Sequence, residues 1–411
     1  MTALTEQAAA ELIAAGAFSP GLPGFVGIAV DLLLDPASAP TGRRPLRHGF
    51  LDARSPRVMV VSGPPSPGLE VALRRMADDL AASTRLVEQH RLTVLDQATD
   101  TAHPDGPEHA LGTATAGVRI GLEAGIEFEP GDGGGAGSLS GTAGSQRMSG
   151  SGGVAGPRAT GDGGAGGPGA GGPGARGSGA GGPGAGAFDL GSMGLERRWA
   201  LAHTLAPVLA AAFANAPLRH GRPTGWRSVR QALRRGLPVG PRAGSAREGW
   251  VAYVMEARTV TGRSLREAFA AGVRVTENDL RRHLASLRPP VAARGHLELD
   301  VADRQAGNGW RLPATVAAVL LDDPRASDEA WAATSHLVGE PELWERAGRL
   351  ALTDPVLAGA ARECFVAAYA ALARRGAGRE LRDAVAEFTE RYVHRGRCPA
   401  DDVLDQVTAR P

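Results

Sequence analysis

The sequence contains no lysine, so its 45 basic residues are all arginines. This absence excludes a Schiff-base lysine and the lysine of a P-loop, and with it a Walker-type nucleotide site. There are only two cysteines, Cys364 and Cys398, which are too few for a disulfide framework and lie outside any Cys-x-x-Cys or Cys/His cluster. The formal net charge of +1 indicates neither nucleic acid nor a membrane surface as a partner.

The sequence predicts neither a signal peptide nor a membrane span. The opening stretch MTALTEQAAAELIAAGAF alternates polar and apolar residues at helical spacing and has no basic region before an apolar one, so it does not resemble a signal peptide. No uninterrupted apolar run reaches the roughly 20 residues that span a bilayer. The sequence therefore predicts a cytoplasmic protein.

Composition divides the chain into three parts. Residues 130–187 include stretches such as GGAGGPGAGGPGARGSGAGGPGAGA, which offer almost no side chain to bury, and we predict a disordered loop there. The flanking parts, 1–129 and 188–411, are expected to form a single domain. The first part contributes strands to its sheet, and the second is mostly helical.

Hydrophobic periodicity predicts the elements of both parts. Strands are expected at 25–34, 57–63 and 116–125, with a helix at 69–83 between the second and the third. After the loop, the periodicity predicts a strand at 295–303 among a series of helices, placed at 194–216, 246–257, 276–286, 313–320, 327–352, 355–374 and 378–391. Strands early and helices late indicate an α+β fold.

The strand GHLELDVAD, 295–303, places His296, Glu298 and Asp300 on one face and apolar residues on the other. A strand with one face in water would show this pattern, and so would the floor of a metal or substrate site. The strand by itself favours the first interpretation.

A second segment combines arginines with turn residues. FANAPLRHGRPTGWRSVRQ, 213–231, joins two helices through prolines and glycines and carries five arginines or histidines around Trp226. Guanidinium groups and the N-terminal amides of a helix both bind phosphate and carboxylate, so the segment is a candidate anion site. An arginine-rich surface turn is the alternative.

These motifs together identify a resemblance. The segments RRWALAHTLAPVLAA, FANAPLRHGRPTGWRSVRQ, RPPVAARGHLELDVADRQAGNGW and ERYVHRGRCPADDVLD resemble, in order, the bacterial glutamate-cysteine ligases of the ergothioneine pathway, which are related to the plant-type enzymes. The resemblance implies a glutamine-synthetase-like fold, a curved antiparallel sheet surrounded by helices. It also implies that ATP phosphorylates the γ-carboxylate of glutamate, that the amine of cysteine displaces the phosphate, and that Mg²⁺ assists.

The resemblance implies the site residues as well. Glu298 and Arg230 are the expected catalytic residues. Asp31, Glu298 and Asp303 are the expected Mg²⁺ ligands. Substrate and ATP binding are expected of Arg222, Thr224, Trp226, Arg227 and His296.

Several positions depart from the family's pattern. FVGIAVDLLLDP, DARSPRVMVVSGPP and TAGVRIGLEAG resemble family strands that carry more acidic and amide side chains, and LELD resembles a family LELR or LEMR. The departures lie at Ala29, Arg54, Val58, Val60, Arg119, Gly121 and Asp300. They remove acids where a metal is expected and an arginine where phosphate is expected. Two alternatives to an active ligase therefore stay open: a catalytically impaired paralogue that serves as a binding or regulatory module, and a ligase that uses another amine acceptor.

Overall fold

The structure is a computed structural model of the chain. It describes seven stretches of residues, namely 3–35, 42–99, 115–126, 190–219, 221–234, 244–259 and 262–409. Met1–Glu127 and Asp189–Pro411 form one compact unit. The predicted disordered loop, 130–187, lies outside the described residues.

Within these residues, nine strands form one antiparallel sheet. The strands of this sheet are β1 (Phe25–Asp35), β2 (Arg44–Pro45), β3 (Phe50–Ser55), β4 (Val58–Ser62), β5 (Ser66–Pro67), β6 (Thr93–Leu95), β7 (Gly117–Leu122), β10 (Val291–Ala293) and β11 (Leu297–Asp303). The main path of the sheet runs β10-β11-β7-β1-β4-β3-β2, with β5 and β6 also pairing with β1. A separate hairpin pairs β8 (Leu218–Arg219) with β9 (Arg222–Pro223). The pairing of β11 with β7 joins the two halves of the chain in one sheet.

The helices follow the predicted order with some differences. Their bounds are α1 (Glu6–Ala17), α2 (Leu69–Gln89), α3 (Leu195–Ala212), α4 (Val229–Ala232), α5 (Ala246–Glu256), α6 (Leu265–Ala270), α7 (Glu277–Ser286), α8 (Arg311–Asp322), α9 (Pro324–Thr334), α10 (Leu343–Arg349), α11 (Pro355–Arg374), α12 (Arg379–Phe388) and α13 (Pro399–Thr408). Short 3₁₀ turns and one π-helical turn at Thr389–Val393 connect them. The α+β class, with an antiparallel sheet and a mostly helical second half, is confirmed.

The two faces of the sheet differ in chemistry because side chains alternate along each strand. In β1 the even-numbered residues from Val26 to Leu34 are buried and belong to the main hydrophobic core. On that side α2 packs against β1, α8 against β7 and α3 against β11. The odd-numbered residues, which include Ala29 and Asp31, lie on the opposite face.

The predicted single helix at 327–352 is wrong. The helix α9 ends at Thr334, and α10 starts only at Leu343. Pro341 lacks a backbone N–H and excludes a helical conformation at the residue before it. Glu342 then has φ 53°, in the left-handed region, so the chain changes direction before α10.

The helix α11 is long and apolar enough to cross a membrane by length and composition alone. In the structure, 56% of its most apolar window is buried inside the protein, where the helix packs against α8 and α9. This burial is typical of a central helix in a globular core.

Candidate functional site

The face of the sheet opposite the main core carries the candidate site and is called here the polar face. The strand register places Asp31 beside Val60 of β4, and Ala29 beside Arg119 of β7. Its charged members are Asp31, Arg54, Arg119, Glu298, Asp300 and Asp303. The positions at which the sequence departs from the family pattern therefore lie on one surface, together with the two β11 acids that match it.

Two glycines of β7 make room on this face for side chains from the second half of the chain. A Cβ atom at Gly117 would lie 2.5 Å from the Arg230 guanidinium carbon, and one at Gly121 would lie 2.9 Å from the His296 ring. Only a residue without a side chain permits such close approach to the strand. The sequence GVRIGL thus places Arg230 and His296 on either side of Arg119.

Asp31 is fully buried at the centre of the face, and hydrogen bonds occupy its carboxylate. Arg54 donates through Nη1 to Oδ2 at 2.7 Å, and the Gly117 amide donates to the same oxygen at 3.0 Å. Arg119 donates through Nη2 to Oδ1 at 3.4 Å. Burial alone would lower the pKa of Arg119. The negative charges of Asp31, Asp300 and Glu298 more than offset this effect, so the pKa of Arg119 is raised. Both guanidinium groups are thereby held against the face.

Asp300 lies between two buried arginines. Arg230 donates to its Oδ1, and Arg234 donates to Oδ2 at 2.6 Å and to the backbone carbonyl oxygen. Burial by itself would raise the pKa of the Asp300 carboxyl, but the two arginines, with Arg119 and Arg54, hold it well below its usual range. Burial lowers the pKa of Arg234 to about 10, so both partners stay charged at neutral pH.

A bulge in β11 sets the position of the next acid. The register with β7 shifts by one residue between Leu299 and Ala302, after which Asp303 pairs with Gly117. Asp303 is buried and accepts from the Ser228 hydroxyl at 3.0 Å and from the Asn215 amide at 2.8 Å. Burial raises the pKa of Asp303. Its oxygens therefore fix the start of α4, on which Arg230 lies.

One end of the polar face opens into a cavity of about 420 Å³, called here the His296 cavity. Its charged and titratable lining consists of Arg119, Glu123, His296 and Glu298. Glu298 accepts from Arg294 Nε at 2.8 Å, whereas the side chains of His296 and Glu123 have no hydrogen-bond partner among the described residues. The cavity thus combines two carboxylates, an imidazole and a guanidinium, which suits a zwitterionic amino acid.

The other end opens into a cavity of about 320 Å³, called here the arginine cavity. Its charged lining consists of Arg54, Arg230, Arg234, Arg258, Arg288 and Asp300. Asp31 lies between the two cavities, because it bonds to Arg119 of the first and Arg54 of the second.

The other predicted binding residues of the 213–231 segment are not brought to the cavities. The Arg227 Nε donates to Asp401 of α13 at 2.8 Å. The Trp226 ring packs against Gly348, Thr224 donates through its hydroxyl to the Pro217 carbonyl, and Arg222 is exposed on β9. Their assigned roles in substrate and ATP binding stay predictions, whereas Arg230 and His296 do lie on the polar face.

A divalent cation needs carboxylate oxygens that face a common point. The described residues contain no group of three or more His, Cys, Asp or Glu side chains that could hold a metal ion. Val60 occupies the place beside Asp31 on the polar face, and Val58 packs with Leu33. As arranged, the described residues do not fit Mg²⁺, and the ligand roles of Asp31, Glu298 and Asp303 stay predictions from the resemblance.

Sequence reasoning missed several residues of the site, among them Arg234 and Glu123. Arg234 lies one helical turn after Arg230 and so faces the same acid, a spacing that was visible in SVRQALRR. Glu123 lies just beyond the end of β7 but inside the predicted strand 116–125. The period of two residues puts it on the same face as Arg119 and Gly121, and this alternation is the signal that could have identified it as lining the His296 cavity.

Comparison with known proteins places these motifs in a family. The sequence model of glutamate-cysteine ligase family 2 (GCS2) matches residues 192–410, a little more than half of the chain. The glutamate-cysteine ligase EgtA of Mycolicibacterium smegmatis is 33% identical over 240 residues, which cover 53% of this chain and 55% of that protein. EgtA of Mycobacterium tuberculosis is 33% identical over 246 residues, covering 53% and 54%. The chain spans about half the length of these curated relatives.

A solved structure shares the fold. The bifunctional glutathione synthetase from Pasteurella multocida aligns with a TM-score of 0.51 at 12% sequence identity, over 97% of this chain and 51% of that one. At this identity the likeness concerns the fold alone.

Proposed function

The chain belongs to glutamate-cysteine ligase family 2, and from that membership we propose that it is an ATP-dependent ligase joining glutamate to cysteine. The product would be γ-glutamylcysteine, as a step of ergothioneine biosynthesis. The observation that carries the proposal is that the family match covers the segments that supply Arg230, His296 and Glu298, and that these three side chains lie on one face of the sheet.

In the proposed reaction the γ-phosphoryl group of ATP passes to an oxygen of the glutamate γ-carboxylate, leaving ADP. The amine of cysteine then attacks the acyl phosphate, and the C–N bond forms as phosphate leaves and the amine loses a proton. The side chains around the His296 cavity support this proposal, because Glu123 and Glu298 can bind the ammonium group of an amino acid and Arg119 its carboxylate. Arg230, held by Asp300, would provide positive charge where the acyl phosphate forms.

A second function is favoured by one observation. Asp31 is committed to Arg54, Arg119 and the Gly117 amide, so its oxygens are unavailable to a metal without rearrangement of both arginines. A phosphoryl transfer that depends on Mg²⁺ would be impaired by this arrangement. The second candidate is therefore a non-catalytic member of the family that binds the amino acid and serves a regulatory role.

The test measures γ-glutamylcysteine and released phosphate in mixtures of ATP, Mg²⁺ and glutamate, with and without cysteine. Other amine acceptors, added singly in place of cysteine, test the acceptor. Glu298→Gln is compared with Glu345→Gln, which removes one exposed carboxylate from α10. The proposal expects cysteine-dependent turnover that falls by about tenfold or more in Glu298→Gln and is unchanged in Glu345→Gln.

If phosphate release does not depend on cysteine but does depend on another amine, that amine is the acceptor in place of cysteine. If no acceptor supports turnover while glutamate still binds in calorimetry, the second candidate is supported and the ligase proposal is overturned.

A further inference from the structure

The lining of the arginine cavity is unusual in its charge. Five guanidinium groups face it, and Asp300 is the only acid of its lining in the part of the chain that the structure describes. A cavity of about 320 Å³ lies at the lower end of the size range of small-molecule sites. It is therefore suited to a small ligand.

Neighbouring acids do not balance these charges. Asp300 is shared by Arg230 and Arg234, and Asp31 is shared by Arg54 and Arg119. Asp303 adds a weaker contact, 3.8 Å from Arg230 Nη1. These three carboxylates face four guanidinium groups, which leaves an excess of positive charge behind the cavity.

Two further arginines, at the rim, add to this excess. Arg288 donates to the carbonyls of Ala285 and Leu287, and Arg258 donates to the carbonyl of Gly262. Among the residues that the structure describes, the hydrogen bonds of both arginines go to backbone carbonyls, and neither forms an ion pair with a carboxylate. Arg288 is exposed at the rim, and partial desolvation there, with the charges of Arg294 and Arg119, lowers its pKa.

We propose that the arginine cavity binds a multivalent oxyanion of the phosphate type directly through its guanidinium groups, without a bridging divalent cation. Guanidinium groups match phosphate oxygens with paired N–H donors, and an anion would neutralise the excess charge of the lining, to which Arg258 and Arg288 contribute. A divalent cation would instead add positive charge to a lining that already has too much.

This inference goes beyond the proposed ligase, because it concerns binding alone and predicts no requirement for metal. The probe is inorganic pyrophosphate, titrated by calorimetry into the full-length protein in about 0.15 M salt, an ionic strength that screens exposed charges. One series contains EDTA and a second contains Mg²⁺. Binding of one pyrophosphate per chain in EDTA is the expected result. Glutarate in place of pyrophosphate distinguishes a dicarboxylate from a phosphate ligand.

Variants locate the binding to the cavity. Arg288→Gln and Arg258→Gln change residues at the rim, so the buried ion pairs beneath them are left intact. Each is expected to weaken pyrophosphate binding about tenfold, the change that corresponds to 1.4 kcal/mol. Arg281→Gln, on the exposed side of α7, removes the same charge outside the cavity and is expected to leave the affinity unchanged.

Binding that appears only with Mg²⁺ would overturn the inference, and so would equal affinities in all three variants. Tighter binding of glutarate than of pyrophosphate would overturn the assignment to a phosphate-type anion. These readouts do not depend on turnover. A protein without ligase activity that still binds pyrophosphate in EDTA would refute the proposed function and leave this inference standing.

Discussion

Asp300→Asn is the sharpest perturbation of the polar face, because it removes one negative charge that two buried arginines share. The side chains of Asp300, Arg230 and Arg234 are each less than 10% exposed. Removing one partner of a buried ion pair leaves an uncompensated charge, at a cost of about 3–5 kcal/mol. The asparagine amide can still accept one hydrogen bond, so we expect the lower part of this range and a melting temperature lower by several degrees.

Thermal unfolding at pH 7 measures the effect, with Asp383→Asn as the matched control because Asp383 forms an exposed pair with Arg379. Exposed pairs contribute at most about 1 kcal/mol, so the control should melt close to the parent protein. The pKa of Asp300 is lowered in the fold, so its stabilisation is complete above about pH 4 and is lost as the pH falls further. The difference between variant and parent should therefore shrink in acid. A variant that melts within about 1 °C of the parent at pH 7 would refute the ion-pair reasoning.

Three further predictions concern other parts of the molecule. Burial lowers the pKa of His203 to about 3, so below about pH 6.5 the unfolded chain binds a proton at this residue more readily than the folded protein does. The protein therefore loses stability as the pH falls from 7 to 5. His203→Leu should reduce this loss by roughly 1–2 kcal/mol, as measured by urea unfolding at the two pH values. Cys364 and Cys398 are fully buried, and burial raises the pKa of both thiols. A thiol reagent should therefore modify neither cysteine until the protein is unfolded. Rapid modification of the native protein would contradict their burial. Gly121→Ala should displace the His296 ring, because the added methyl group would lie too close to it. We expect weaker glutamate binding in calorimetry and little change in the melting temperature, since a side chain moves more easily than a strand. Unchanged glutamate binding would show that His296 does not contribute to the amino acid site.

The sequence predicted the elements of the polar face because alternation along a strand is a local property. The pattern FVGIAVDLLL determines that Ala29 and Asp31 share a face, whatever the strand pairs with. The same reasoning placed His296 and Glu298 together. Both results needed only the period of two residues, and the structure places all four side chains on the polar face.

The partners of these side chains could not be predicted in the same way. Asp300 looked like a repulsive charge in a phosphate site when considered alone, and its neutralisation depends on Arg230 and Arg234, which are 70 and 66 residues away. The bulge in β11, which decides where Asp303 lies, arises from pairing with β7 across the whole unit. Such contacts depend on register, and register is a property of the assembled sheet.

The exchanges on the polar face are coupled, and this changes their interpretation. The resemblance expects an acid at position 54 and an arginine at position 300, whereas this chain has Arg54 and Asp300, so the two charges have exchanged sign together. In the structure the charge of Arg54 contributes to lowering the pKa of Asp300, and Arg54 also pairs with the acid retained at position 31. A face that had merely lost its function would accumulate uncompensated buried charges, each costing several kcal/mol. The described face has instead kept a carboxylate beside every buried guanidinium. The remaining excess of positive charge lies at and beneath the arginine cavity, where a ligand can reach it.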